Sequence, residues 1–193
     1  MLKVNHPMAT VAQPRATIAD LSLTDGKAEL IGGRIREIMP TGIRPHEVAG
    51  NIYVSIRAHA RGIKKGKAFT DNIGFVVPEL TSGRESFSPD ASYYDGPLPA
   101  DLMRFVNGAP RFAAEVRSEN DYGPMAEAEH AAKRKDYFEA GTIIVWDVDP
   151  KAEVIWSYHR DRPDQPTRFG NGQVAEAEPA VSGWRMDVDE VFA

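Results

Sequence analysis

The chain has 193 residues, 42% hydrophobic and 26% charged, the make-up of an ordinary globular domain long enough to bury a core. It contains no cysteine, which excludes a disulfide framework, a thiolate zinc site and a cysteine nucleophile. A formal net charge of −5 argues against a non-specific nucleic-acid coat protein, but not against a nuclease, whose clustered carboxylates would supply part of that charge.

Residues 1–16 read as an N-terminal arm: they hold no apolar core of signal-peptide length and are broken by Pro7 and Pro14. Residues 17–193 read as a single domain. No apolar run approaches the roughly 20 residues of a membrane span, so no membrane association is expected and the cytoplasm is the default location. Residues 18–23 suggest a short helix before the Thr24-Asp25-Gly26 turn. Residues 28–31 and 34–39, joined by Gly32-Gly33, have the signature of a β-hairpin with a two-residue turn. From 45 to 60 the pattern turns helical, with Val48, Ile52 and Ile56 at four-residue spacing, Pro45 in the first turn and Gly62 as the stop. Arg57, Arg61, Lys64, Lys65 and Lys67 fall close together here, either as a weak DNA-binding patch or as a solvated helix end.

Residues 67–70 and 74–77 read as strands and 78–88 as a loop. Residues 91–94 form a strand with Asp90 at its start, and 96–108 is a proline-bearing connection without a clear pattern. In the strand 111–117, alternation puts Phe112, Ala114 and Val116 on one face and Ala113, Glu115 and Arg117 on the other. Pro124 opens a helix that ends at Ala140 before Gly141, and 143–148 is a nearly continuous apolar run, as for a strand buried on both faces. A strand at 153–159, short edge strands and a last turn near 188–192 complete the chain. The order is that of an α/β (α+β) protein, a mixed central sheet flanked by helices, with a βαβ unit from 111 to 148 and an N-terminal hairpin.

The stretch 88–150 carries the chemistry. Phosphodiester hydrolysis asks for a hard cation held by one or two carboxylates, which screens the phosphate and acidifies a bound water. Asp90 and Glu115 are the candidate ligands, provided their strands are neighbours, and the Val116 carbonyl would complete the protein's share. Mg²⁺ is the expected ion, with Mn²⁺ as a substitute. On the helix, Lys133 shares a face with Ala126, His130, Tyr137 and Ala140, whereas Lys135 points away, so Lys133 is the lysine that can reach the strand ends. Each residue also has a plainer reading: Asp90 as a turn former, Glu115 as an ion pair with Arg117 or Arg111, Lys133 as a surface lysine.

Taken in order, Glu29-Leu30 with Gly33, His46, Pro89-Asp90-Ala91-Ser92, Glu115-Val116-Arg117-Ser118, Lys133 and Tyr137, Gly141 and Trp146-Asp147-Val148-Asp149-Pro150 resemble the Uma-type family of restriction endonucleases. That family is a branch of the PD-(D/E)XK nuclease superfamily. The resemblance implies a restriction-endonuclease-like core, Asp90 and Glu115 on magnesium, Lys133 as a catalytic lysine carried by the helix, and Glu29 as an accessory acid. It puts His46 near the site, either functionally or as a helix-capping or packing residue. Arg117 stands where the wider superfamily carries lysine, and either contacts phosphate or neutralises Glu115. The expected activity is DNA cleavage by metal-activated water, in a homodimer whose two-fold symmetry matches two strands. The other reading is a non-catalytic nucleic-acid-binding or scaffold protein that kept the fold.

Overall fold

The computed structural model of the chain describes residues 14–193. The first thirteen residues of the expected arm lie outside the described residues. Its end is tied to the body: Ala16 N–H donates to the Gly33 carbonyl at 2.8 Å, and Arg15 pairs with Glu79 at 2.8 Å. Helix α1 (Ile18–Leu21) opens on a capping box in which the Thr17 and Asp20 side chains each accept the other's backbone N–H. The expected hairpin follows as β1 (Ala28–Ile31) and β2 (Arg34–Glu37); Gly32 and Gly33 turn it with φ of 59° and 68°.

Helix α2 (Ile43–Ile63) outruns its expected end, because Gly62 does not stop it. Lys64, left-handed at φ 53°, does so instead, its N–H returning to the Ala60 and Arg61 carbonyls. An interior glycine costs a helix about 1 kcal/mol. The buried stripe Val48, Ile52, Ile56 and Ala60 outweighs that cost.

Then come β3 (Lys67–Thr70), β4 (Phe75–Val76), β5 (Ser86–Phe87), β6 (Ala91–Tyr94), β7 (Val106–Asn107), β8 (Phe112–Val116), α3 (Pro124–Ala140), β9 (Ile144–Asp149), β10 (Val154–His159) and β11 (Arg162–Phe169). Strands β12 (Val174–Glu176) and β13 (Arg185–Asp187) and helix α4 (Val188–Val191) finish the chain. Six strands form the central sheet in the order β11-β10-β9-β8-β6-β3. Within this sheet only the neighbours β8 and β9, joined through α3, run parallel. Pro163 and Pro166 sit in β11 at the sheet edge, where a missing N–H breaks no ladder. Strands β5, β4 and β7 make a separate small sheet, which corrects the reading of 78–88 as loop and 96–108 as unpatterned. Each of the three is two residues long, too short for a period to register.

The alternation along β8 is as expected. Phe112, Ala114 and Val116 join Trp146, Trp184 and the α2 stripe in one core, while Ala113 joins Val145, Phe75, Phe87 and Tyr137 of α3 in the other. Burying each large side chain of these cores stabilises the fold by about 1.5–3 kcal/mol. Glu115 therefore faces α3. That helix has a thin apolar stripe: its buried residues are Asp136 and Tyr137, the latter stacked on Phe87 with ring centroids 4.1 Å apart. Much of what fastens α3 to the sheet is polar.

Candidate active site

Strand register lines up four carboxylates. Ala91 pairs with Ala114 across β6 and β8, so one step on, Asp90 lies opposite Glu115, and Asp90 N–H donates to the Ala114 carbonyl at 3.1 Å. Thr70 pairs with Ala91, which puts Asp71 opposite Asp90, and Glu115 pairs with Asp147 in the parallel ladder. Residues opposite one another share a face of the sheet. Asp71, Asp90, Glu115 and Asp147 thus cross it at one level, on the side of α3.

Cations interleave with this row. Lys27, just before β1, reaches Asp71 at 2.7 Å and Asp90 at 2.6 Å, while the other Asp90 oxygen accepts Val116 N–H at 2.8 Å. Lys133 lies 2.8 Å from Glu115 Oε2 and 3.1 Å from Glu29 Oε1. Tyr137, one turn further along α3, donates its hydroxyl to Glu115 Oε1 at 2.6 Å. Glu29 also accepts Ser88 N–H at 2.9 Å and pairs with the buried Arg84, whose Nε holds Asp136 of α3 at 2.9 Å. Arg117 takes Asp147 by two bonds of 2.6 and 2.9 Å and also holds Glu127; Arg134 adds a third contact to Asp147 at 2.9 Å.

Burial and partners set the charge states. Burial works to raise Glu29, but Lys133, Arg84 and the Ser88 N–H outweigh it and hold the carboxyl down at about 2. Glu115 goes the other way: burial, with Asp90 and Glu29 nearby, lifts it above the ordinary range despite Lys133 and Lys27. Burial also lifts the Tyr137 hydroxyl well above its usual range, helped by Glu115, so it stays a proton donor to that carboxylate. Burial pulls Lys133 down, yet Glu115 and Glu29 pull it up by more, and it is an ammonium.

Asp90, Glu115, Lys133, Tyr137 and Glu29, all named from the sequence, thus meet in one cluster, with the Val116 backbone beside it. His46 is exposed on the wall of the same cleft. Arg117 is held by Asp147 and Glu127 and not by Glu115, which corrects the reading of it as the cation that neutralises Glu115. Arg111 pairs with Asp95, so neither arginine neutralises Glu115. The five basic residues are all exposed, four of them near the far end of α2 and Lys67 at the start of β3. From His46 to Arg61 the helix rises roughly 20 Å, so most of that patch lies well away from the carboxylates. Sequence reasoning missed Lys27, Asp71, Arg84 and Asp136. Lys27 had a faint signal in its place two residues before Glu29.

The cluster opens into a cleft of about 1200 Å³, lined by nine carboxylates against four lysines and arginines. Among the described residues no three histidine or acidic side chains converge as a ready-made metal cage. The donors suit a hard cation that brings its own waters. Asp71, Asp90, Glu115, Glu29 and Asp136 face Lys27, Lys133 and Arg84, which leaves the cluster as a whole with two more acidic groups than basic ones. A divalent ion would balance that excess.

Comparison with known proteins agrees with this architecture. The model of the Uma2 family, described as "Putative restriction endonuclease", matches residues 17–189. Among solved structures, the chain is similar to one described as a putative nuclease belonging to DUF820, from Anabaena variabilis. The TM-score is 0.67 at 18% identity, and the alignment covers 91% of this chain and 97% of that one. No curated protein gives a significant match.

Proposed function

The chain belongs to the Uma2 family, and from that premise we propose that it is a Mg²⁺-dependent endonuclease that hydrolyses DNA phosphodiester bonds. The observation that carries the reading is the pairing of Asp90 and Glu115 on neighbouring strands with the Lys133 ammonium 2.8 Å from Glu115. Asp90, Glu115 and the Val116 carbonyl would hold the ion, which when bound screens the phosphate and acidifies a water. Lys133 presents its protons where negative charge develops on the phosphoryl oxygens. Tyr137 fixes the Glu115 carboxylate, and Glu29, held by Arg84 and Ser88, fixes Lys133 from its other side. Arg117 has a separate task, pinning the start of α3 to β9 through Glu127 and Asp147. A homodimer would set one such centre against each strand of a duplex.

The test is cleavage of supercoiled plasmid with Mg²⁺ or Mn²⁺ against a chelator control. Cleavage is expected to need the ion, to vanish in Asp90→Asn and Glu115→Gln, and to slow in Lys133→Met. Metal-dependent cleavage that survives the first two substitutions would refute the site. The acidity of the cleft supports a second reading, a non-catalytic scaffold on the nuclease fold, because nine carboxylates repel a polyanion. The absence of both DNA binding and Mn²⁺-dependent cleavage would favour it.

A further inference from the structure

Lys27 neither holds the proposed ion nor faces the reacting phosphate. Its ammonium spans Asp71 Oδ1 at 2.7 Å and Asp90 Oδ1 at 2.6 Å. The other Asp90 oxygen is taken by the Val116 N–H, so Lys27 holds the Asp90 oxygen that has no backbone partner. Side-chain exposure falls from 40% at Asp71 to 20% at Asp90 and 14% at Lys27, so the lysine bridges from a solvated carboxylate into the sheltered row.

We propose that Lys27 is a resident competitor for the metal: it neutralises Asp90 in the metal-free protein and withdraws onto Asp71 when a divalent ion takes Asp90. The proposal rests on the metal-site reading given under Proposed function, and it assigns neither Lys27 nor Asp71 as a ligand. A metal–oxygen bond of about 2.1 Å to an oxygen already bonded to an ammonium would crowd a double charge against a single one, so one must leave. Asp71 gives the departing ammonium somewhere to go. It lies one strand further out, and neighbouring strands are about 4.8 Å apart, so a small swing of a flexible four-carbon stem lengthens the separation without stranding the charge.

The two residues should therefore act with opposite signs. Removing the competitor in Lys27→Met tightens Mn²⁺ binding about tenfold or more. Removing its alternative partner in Asp71→Asn holds the lysine on Asp90 and weakens binding severalfold. In Lys27→Met/Asp71→Asn there is no lysine to hold, so the effect of Asp71→Asn disappears and the double variant binds like Lys27→Met.

The experiment is calorimetric titration of Mn²⁺ into the wild type, both single variants and the double variant, with Glu115→Gln as control and circular dichroism to verify folding. Opposite signs in the singles, with the Asp71 effect abolished in the double, are expected. Equal or weaker binding in Lys27→Met overturns the proposal. So does an Asp71→Asn loss that persists without Lys27, since Asp71 would then be a ligand itself. Should Lys27→Met not fold, Asp71→Asn alone must weaken binding, and unchanged affinity there overturns the proposal. Binding that depends on Glu115 but ignores Lys27 sinks this inference and leaves the metal site standing. A wild type whose Mn²⁺ binding Glu115→Gln does not alter sinks both.

Discussion

Replacing Lys133 with methionine keeps the length of the side chain and removes its charge, and the structure says which partner suffers. The ammonium sits 2.8 Å from Glu115 and 3.1 Å from Glu29. Unit charges about 3 Å apart interact by about 5 kcal/mol at an effective dielectric of 20, before desolvation is counted. Glu29 keeps Arg84 and the Ser88 N–H, so its ionised form survives the change. Among the described residues, Glu115 keeps only the Tyr137 hydroxyl as a direct partner. An uncompensated buried charge costs about 3–5 kcal/mol, and the Tyr137 bond argues for the lower end. The penalty is also pH-dependent. Burial already raises Glu115, and losing Lys133 raises it further. A carboxyl raised in the folded state binds its proton more tightly there than in the unfolded chain. Folded stability therefore recovers as pH falls through the raised value toward the ordinary one. Urea unfolding should show Lys133→Met destabilised by about 3 kcal/mol at pH 8 and by clearly less at pH 5.5. Adding Glu115→Gln should restore most of the loss. A penalty below about 1 kcal/mol that does not change between the two pH values would mean that Lys133 does not compensate a buried Glu115 charge.

Other consequences follow from the same network. Arg84→Met leaves Asp136 without its cation and should cost about 3 kcal/mol in urea unfolding, part of which Asp136→Asn returns. Glu29, held at about 2 against an ordinary 4.5, contributes stability that is complete above the ordinary value and is lost as pH falls through the folded one. That shift corresponds to about 3 kcal/mol, and an acid titration of Glu29→Gln should lack this limb. Arg117→Lys keeps the charge but loses the paired geometry on Asp147 and Glu127; it should lower stability by about 1–2 kcal/mol and leave Mn²⁺ affinity unchanged. A Mn²⁺ affinity that falls with Arg117 would put this arginine at the ion after all.

The parts of the site legible in the sequence are those fixed by local pattern. Glu115 stood out as a carboxylate in an apolar strand, and the alternation of β8 put it on the face away from Phe112 and Val116. Helical periodicity chose Lys133 over Lys135 and paired it with Tyr137, and both side chains reach Glu115. What stayed hidden depends on strand order. Asp71 joins Asp90 and Glu115 only because β3, β6 and β8 are neighbours, and nothing local to residue 71 announces that. Arg84 sits in the polar run Thr81-Ser82-Gly83-Arg84-Glu85, which reads as solvated, yet Glu29 and Asp136 approach it from distant segments and bury it. Gly62 misled for the opposite reason. A glycine is a local stop signal, and the packed stripe of α2 overrides it.

Whether Asp90 and Glu115 form a divalent-metal centre is decided by an anomalous difference map from crystals soaked in millimolar Mn²⁺. The expected result is a peak between the two carboxylates within bonding distance of the Val116 carbonyl, with Lys27 withdrawn from Asp90. A map with no manganese between Asp90 and Glu115, and Lys27 still on Asp90, would contradict it.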